Sequence, residues 1–335
     1  MRLVWKMACL LGLFARPAFA DPGPLPALAA NPARVSVSGL SSGGFMAAQY
    51  AVAYSRSIMG AGIVAGGPYN CAAIYGMFFL QMCMQGSPSG KTSWKAAKGF
   101  ASSGLIDPVA NIKAQRIYLF SGTQDQVVSP KVMKGVKDFY RAAGLPAANL
   151  RYMNAVPAGH AFISTNIGAP SCGTNASPYI DQCTVEGTPY DQPQMILSQI
   201  YGPLKPKATT LSAAPIAFDQ RSYGGDQAQM APTGYVYIPA SCRGGAAPCA
   251  VHVVFHGCVQ SAQEVGDDVY AKLGYNQWAD SNGIIMLYPQ VNRSLANPQG
   301  CWDWWGYSGF NPQLRSAVQP AAIHAMIARL EEAAP

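Results

Sequence analysis

Three residues of this chain could together make a hydroxyl reactive. Ser41 lies in Gly39-Leu40-Ser41-Ser42-Gly43, the G-x-S-x-G spacing that places a serine on a tight turn with its oxygen exposed. A base must take its proton, and the choice is short because the chain has 4 histidines. His160 follows a strand-like segment in the glycine-containing loop Pro157-Ala158-Gly159-His160, whereas His252 falls inside a strand pattern and His324 inside a helical one. An acid must orient the imidazole, and Asp125 ends Ser121-Gly122-Thr123-Gln124-Asp125, just past another apolar run. A serine, imidazole and carboxylate in these roles perform acyl transfer through a covalent serine ester.

The flanking elements decide whether these residues meet. A Gly/Ser turn by itself is common. Here Val35 and Val37 read as a strand before it and Phe45 to Tyr54 as a helix after it, the context the motif needs. The backbone N–H of Ser42 would then point from a helix start towards a tetrahedral oxyanion. Further strands are expected at Ala61–Ala65, Arg116–Phe120, Asn149–Val156, Thr233–Ile238, Ala250–Phe255 and Gly283–Tyr288, with helices at Lys131–Ala143 and Pro320–Glu332. Cys71 to Lys98 reads as irregular, with the apolar insert Met77-Phe78-Phe79-Leu80, and Leu204 to Ala214 as a linker. The order Ser41, Asp125, His160 is that of α/β-hydrolases. His256-Gly257-Cys258 matches the H-G oxyanion motif of that fold, with the Cys258 amide as second donor, but it follows the nucleophile where it ordinarily precedes it. A circularly permuted α/β-hydrolase, with a mostly parallel doubly wound sheet, accounts for that order in a single domain. Gly300 to Tyr307 carries the densest aromatic cluster. Alternation there would set Trp302 and Trp304 on one side as a cleft wall, with burial in the core as the competing fate.

At 335 residues, half of them hydrophobic and 12% charged, the chain can bury a large core. Residues 1–20 read as a secretory signal: Arg2 and Lys6, an apolar run from Met7 to Phe14 too short for a membrane span, and Ala18-Phe19-Ala20 before Asp21. The catalytic domain is expected over 21–335, outside the cell or in a periplasm. Loss of Arg2, Lys6 and Arg16 would leave 20 basic and 16 acidic groups, +4 in place of +7. No Lys/Arg block suggests a nucleic-acid partner, and no membrane partner is expected. Once Cys9 leaves with the signal, eight cysteines remain, and an even number in an exported chain reads as disulfides. Proximity alone favours Cys71 with Cys83, Cys172 with Cys183, Cys242 with Cys249 and Cys258 with Cys301. No C-x-x-C pair points to zinc, and no metal or cofactor is expected.

Six segments carry a resemblance along nearly the whole mature chain. They are Val-Ser-Gly-Leu-Ser-Ser-Gly-Gly at 37–44, Ala-Gly-Gly-Pro-Tyr at 65–69, Gly-His-Ala-Phe at 159–162, His-Gly-Cys at 256–258, Gly-Tyr-Asn-Gln-Trp-Ala-Asp at 274–280 and Gly-Cys-Trp-Asp-Trp at 300–304. Together they resemble secreted single-domain poly(3-hydroxybutyrate) depolymerases with a circularly permuted α/β-hydrolase fold. The resemblance implies Ser41 as nucleophile, Asp125 as acid, His160 as base and the Ser42 and Cys258 amides as oxyanion hole. It also implies a polyester groove lined by Trp302, Trp304, Tyr307 and His256. The chain departs from the family at Tyr307, where relatives carry a tryptophan. Poly(aspartic acid) hydrolases are similar in sequence and keep an anionic polyamide open as substrate, which the positive balance would suit. A feruloyl or acetyl esterase would use the same triad, and a polymer-binding protein without catalysis is the competing class.

Overall fold

The computed structural model describes residues 21–244 and 248–334, so the expected signal segment lies outside the described residues. Its centre is one eight-stranded sheet in the order β4-β3-β2-β1-β11-β12-β10-β9. In sequence these are β1 (Val35–Leu40), β2 (Ile58–Val64), β3 (Arg116–Phe120), β4 (Leu150–Met153), β9 (Ile216–Asp219), β10 (Thr233–Tyr237), β11 (Ala250–Phe255) and β12 (Ile284–Tyr288). Neighbours from β4 across to β12 run parallel, and β10 is antiparallel to both β12 and β9. The chain therefore builds one half outward from β1 to β4, then crosses to the opposite edge for β9 and β10, and last fills the middle with β11 beside β1 and β12 beside β10.

Parallel strands covered on both faces must be apolar on both, and β1 and β11 show the alternation. Val35, Val37, Val251, Val253 and Phe255 enter the core beneath α1 (Ser42–Ala53), α3 (Gly90–Ser102), α4 (Pro130–Ala142) and α8 (Val318–Glu331). Leu40, Ala250 and Val254 face the other core, beneath α5 (Gln192–Tyr201) and α7 (Tyr275–Asn282). On that second face Ser36, Ser38 and His252 are polar and fully buried, and they satisfy one another. The Ser36 hydroxyl lies 2.6 Å from His252 Nδ1, the Ser38 hydroxyl 2.7 Å from Nε2, and each serine also meets a tyrosine hydroxyl, Tyr201 or Tyr275. Burial holds the His252 pKa down to about 3, so the imidazole is neutral. This is the structural role expected for a histidine in a strand.

The segment read as irregular from Cys71 to Lys98 is more ordered than that. It contains α2 (Cys71–Tyr75), two short turns of helix at Gly76–Phe78 and Gln81–Gln85, and the start of the 13-residue α3. The Ser89 side chain caps α3 by accepting from the Thr92 N–H at 3.2 Å. Gly90, Ser93 and Ala97 of α3 are buried, and Trp94, Phe100 and Ala101 pack half-buried against the core, Trp94 edge to face on Phe139. The Leu204–Ala214 linker has no regular element but is tied down: Ser212 binds Asp280, and the Ala208 N–H donates to Gln277 O. Two-stranded ladders formed by β5 (Phe162–Ile163) with β6 (Ile180–Asp181), and by β7 (Thr184–Val185) with β8 (Thr188–Pro189), complete the described strands. A short helix, α6 (Ala262–Val265), follows the loop after β11.

Candidate active site

Ser41 stands between β1 and α1 with φ 58° and ψ −122°, a conformation costly for any residue with a side chain. The neighbouring glycines make the turn possible. A Cβ on Gly39 would lie 2.3 Å from the Gly43 carbonyl oxygen, and one on Gly43 would lie 2.3 Å from Phe255 O and 2.4 Å from His256 O. The elbow is thus pressed backbone to backbone against the end of β11, which brings the Cys258 loop beside the serine.

Asp125 and His160 leave the ends of β3 and β4, adjacent parallel strands. Both side chains are almost completely buried, and His160 Nδ1 donates to Asp125 Oδ2 at 2.9 Å. The other carboxylate oxygen, Oδ1, accepts from the Val127 and Val128 amides at 2.9 and 2.8 Å, which fixes its plane. With Nδ1 donating, Nε2 is the nitrogen free to accept a proton. Nε2 has no protein partner among the described residues; Ser41 and His160 line one small cavity together with Leu40, Met84, Tyr179 and Cys258. The rings of His160 and Tyr179 meet edge to face at 5.9 Å.

On the oxyanion side, neither the Ser42 nor the Cys258 amide has a backbone or side-chain acceptor among the described residues. The Cys258 loop is held on several sides. The Gly257 N–H donates to Gln260 Oε1 at 2.7 Å, the Val259 N–H to Gln299 O at 2.7 Å, and Cys258 is bonded to Cys301. Val259, a β-branched residue, has φ 49°, a strained backbone kept in place by those ties. Three further disulfides join Cys71 to Cys83, Cys172 to Cys183 and Cys242 to Cys249.

The main cavity beside Ser41 has a volume of about 260 Å³. Its wall is Phe45, Phe79, Leu80, Met84, Val128, Trp304 and Trp305, closed by Asn297, Pro298 and Gln299, and among the described residues no basic or acidic side chain lines it. Trp304 stacks on Phe45 with centroids 4.2 Å apart. The aromatic segment does not alternate as an extended strand would. Asp303 is fully buried and accepts from the amides of Trp305, Gly306, Tyr307 and Ser308 at 2.6 to 3.2 Å, curling the chain around its carboxylate.

That curl separates residues the sequence had grouped. Trp304 is on the cavity wall, whereas Trp302 is fully buried behind it, edge to face on Phe255 at 5.0 Å. Tyr307 supports Trp305 at 5.0 Å and turns its hydroxyl to Cys301 O at 2.7 Å, away from the cavity. His256 is also fully buried: Nδ1 donates to Gly257 O at 2.6 Å and Nε2 accepts from the Val291 N–H at 3.0 Å. Burial lowers its pKa to about 4, with the Gly257 carbonyl pulling the other way. Trp302, Tyr307 and His256 therefore shape the loops and do not line the cavity. Trp305, within the aromatic segment expected near the cleft, joins Trp304 on the wall, whereas Phe79, Leu80 and Met84 were not anticipated there. The apolar insert at 77–80 was the available signal, but only the fold around the Cys71–Cys83 bridge carries it to Ser41.

No family model matches the chain. Whole-sequence comparison gives 42% identity over 313 residues with a poly(3-hydroxybutyrate) depolymerase of Delftia acidovorans, covering 91% of this chain and 61% of that longer protein. A polyhydroxybutyrate depolymerase of Talaromyces funiculosus is 41% identical over 319 residues, covering 89% of this chain and 90% of the relative. Among solved structures, PHB depolymerase from Penicillium funiculosum superposes with a TM-score of 0.84 at 39% identity, over 92% of this chain and 98% of that one. A serine-to-alanine PHB depolymerase complexed with an R3HB trimer superposes equally well.

Proposed function

The chain belongs to the polyhydroxybutyrate depolymerase family, and on that premise we propose that it hydrolyses the ester bonds of poly(3-hydroxybutyrate) or a related short-chain polyhydroxyalkanoate. The observation that carries this reading is the buried Asp125–His160 pair opening, with the strained Ser41, beside a wholly uncharged aromatic cavity.

In this reading His160 Nε2 takes the proton from Ser41 Oγ as the oxygen attacks the ester carbonyl. The carbonyl oxygen becomes an oxyanion between the Ser42 and Cys258 amides, which are already oriented and need not reorganise. Collapse breaks the ester C–O bond, and the imidazolium returns its proton to the departing hydroxyl. Water then repeats the sequence on the acyl-enzyme. Asp125 holds the tautomer throughout and offsets the imidazolium charge. The absence of any cation from the lining residues supports a neutral polyester over poly(aspartic acid), whose carboxylates would have no counter-charge in the cavity. The sheet order supports circular permutation, because the strand carrying the oxyanion loop sits beside β1 although it comes late in the sequence. Four disulfides support export into an oxidising compartment, and a mature N-terminus at Asp21, read by mass, would test it.

Ser41→Ala should lower the turnover of p-nitrophenyl butyrate on the order of a million-fold, to the assay floor, without loss of thermal stability. Retained turnover would refute the serine mechanism. Clearing of a poly(3-hydroxybutyrate) film with no cleavage of poly(aspartic acid) supports the polyester assignment, and the reverse pattern would overturn it.

A further inference from the structure

Asp125 and His160 sit on two separate loops, and hydrolysis requires those loops to stay in register. Near the sheet they are joined by backbone bonds, Thr123 N–H to Val156 O at 2.9 Å and Gln124 N–H to Ala158 O at 3.0 Å. Beyond those bonds the chain around both catalytic groups meets the side chain of Asn175. Its Oδ1 accepts from the N–H of His160 at 2.9 Å and from that of Gln126 at 3.0 Å. Its Nδ2 donates to Gln124 O at 3.0 Å and Gly173 O at 3.1 Å. One carboxamide has two acceptor sites and two donors, and all four are used. Three of its partners are the base itself and the two residues flanking the acid.

Asn175 is itself held in place. It lies in the excursion closed by Cys172–Cys183, just after a turn in which the Thr174 N–H and hydroxyl both donate to Ser171 O. The base loop fits tightly against it: a Cβ on Gly159 would lie 2.1 Å from Thr174 O and 2.9 Å from Asn175 Nδ2. The same excursion reaches the oxyanion side, where Gln260 Nε2 donates to Pro178 O and Tyr179 O while its Oε1 accepts from Gly257. We propose that Asn175 is a positioning residue for hydrolysis, its carboxamide setting the spacing of the Asp125 carboxylate and the His160 imidazole. This rests on the triad assigned above.

A residue that only stiffens a loop would change stability and leave the chemistry intact. A positioning residue changes kcat through the pair, because a shift of about 1 Å in reacting groups costs roughly 100-fold. Asn175→Ala should therefore lower kcat on p-nitrophenyl butyrate roughly 10- to 100-fold, counted per active site by burst titration, with KM nearly unchanged. Asn175→Asp keeps the acceptor for His160 and Gln126 and should recover part of the loss. In an Asp125→Ala background, Asn175→Ala should cost nothing more, since the pair it adjusts is already broken. Wild-type kcat in Asn175→Ala, or an equal fold-loss in both backgrounds, overturns the proposal while leaving the triad standing. Wild-type kcat in Asp125→Ala itself overturns the triad and this inference with it.

Discussion

The tightest point of the site is where Gly43 meets the end of β11, and replacing that glycine by alanine tests whether the elbow and the oxyanion loop act as one rigid body. The added Cβ would lie 2.3 Å from Phe255 O, 2.4 Å from His256 O and 2.7 Å from Phe255 C, whereas ordinary contact begins near 3.4 Å. All three atoms are backbone at the end of a central parallel strand, so no side chain can rotate away. Relief requires α1 and Ser41 to withdraw by about 1 Å, the difference between those distances. Overpacking of this kind costs about 1–3 kcal/mol of stability. The same withdrawal moves Oγ and the Ser42 amide away from the Cys258 amide, and a displacement of that size costs roughly 100-fold in rate. The assay is kcat on p-nitrophenyl butyrate, with active sites counted by the burst and thermal unfolding followed in parallel. Gly257→Ala is the paired comparison, because the closest atom to its Cβ would be the end of the Gln260 side chain at 3.2 Å, which can give way, while Leu40 O at 3.5 Å and Ser41 Cβ at 3.6 Å are ordinary contacts. Gly257→Ala should stay within a few-fold of wild type. Equal activity and stability in Gly43→Ala and the wild type, or a larger loss in Gly257→Ala, would refute the reasoning.

Asp303→Ala should raise KM more than it lowers kcat, because four amides and the Ser308 hydroxyl lose their acceptor and the Trp304–Trp305 wall loosens; the unpaired donors should cost about 3 kcal/mol or more in a urea melt. Removing the Cys258–Cys301 bridge by paired serine substitution opens a loop with a sequence separation of 43 and should cost about 4 kcal/mol together with much of kcat. Removing Cys242–Cys249, separation 7, should cost about 2 kcal/mol and leave kcat alone; similar kcat in the two variants would count against the oxyanion role of the Cys258 loop. Burial holds His252 at about 3 and His256 at about 4, both below the unfolded value near 6.5, so unfolding takes up protons in that window. Stability should fall as pH drops below about 6.5 and level off near 3, and His252→Asn should flatten the dependence; an unchanged slope of urea midpoint against pH would contradict it.

Local signals in the sequence were enough to place the elbow, since a turn that admits only glycine at 39 and 43 and a serine between them is a steric statement about neighbouring residues. They were also enough for the strands at Arg116–Phe120 and Ala250–Phe255, where a short apolar run is rich in β-branched or aromatic residues and followed at once by Gly-containing loops. Helix α3 escaped notice although Trp94, Ala97, Phe100 and Ala101 recur at helical spacing and pack on the core, because Gly90, Gly99 and three interspersed lysines dilute that stripe in a short segment. Alternation misgrouped Trp302 with Trp304, since one buried carboxylate, Asp303, recruits the following amides and curls the chain. The role of Asn175 depends on partners 15 to 51 residues away, and the apolar wall of the cavity draws on segments near 80, 128, 298 and 305. The sequence by itself therefore nominated the groups that could do the chemistry. Tertiary packing decided their spacing and what surrounds them, because hydrogen bonds and excluded volume act across space and leave no mark on residue order.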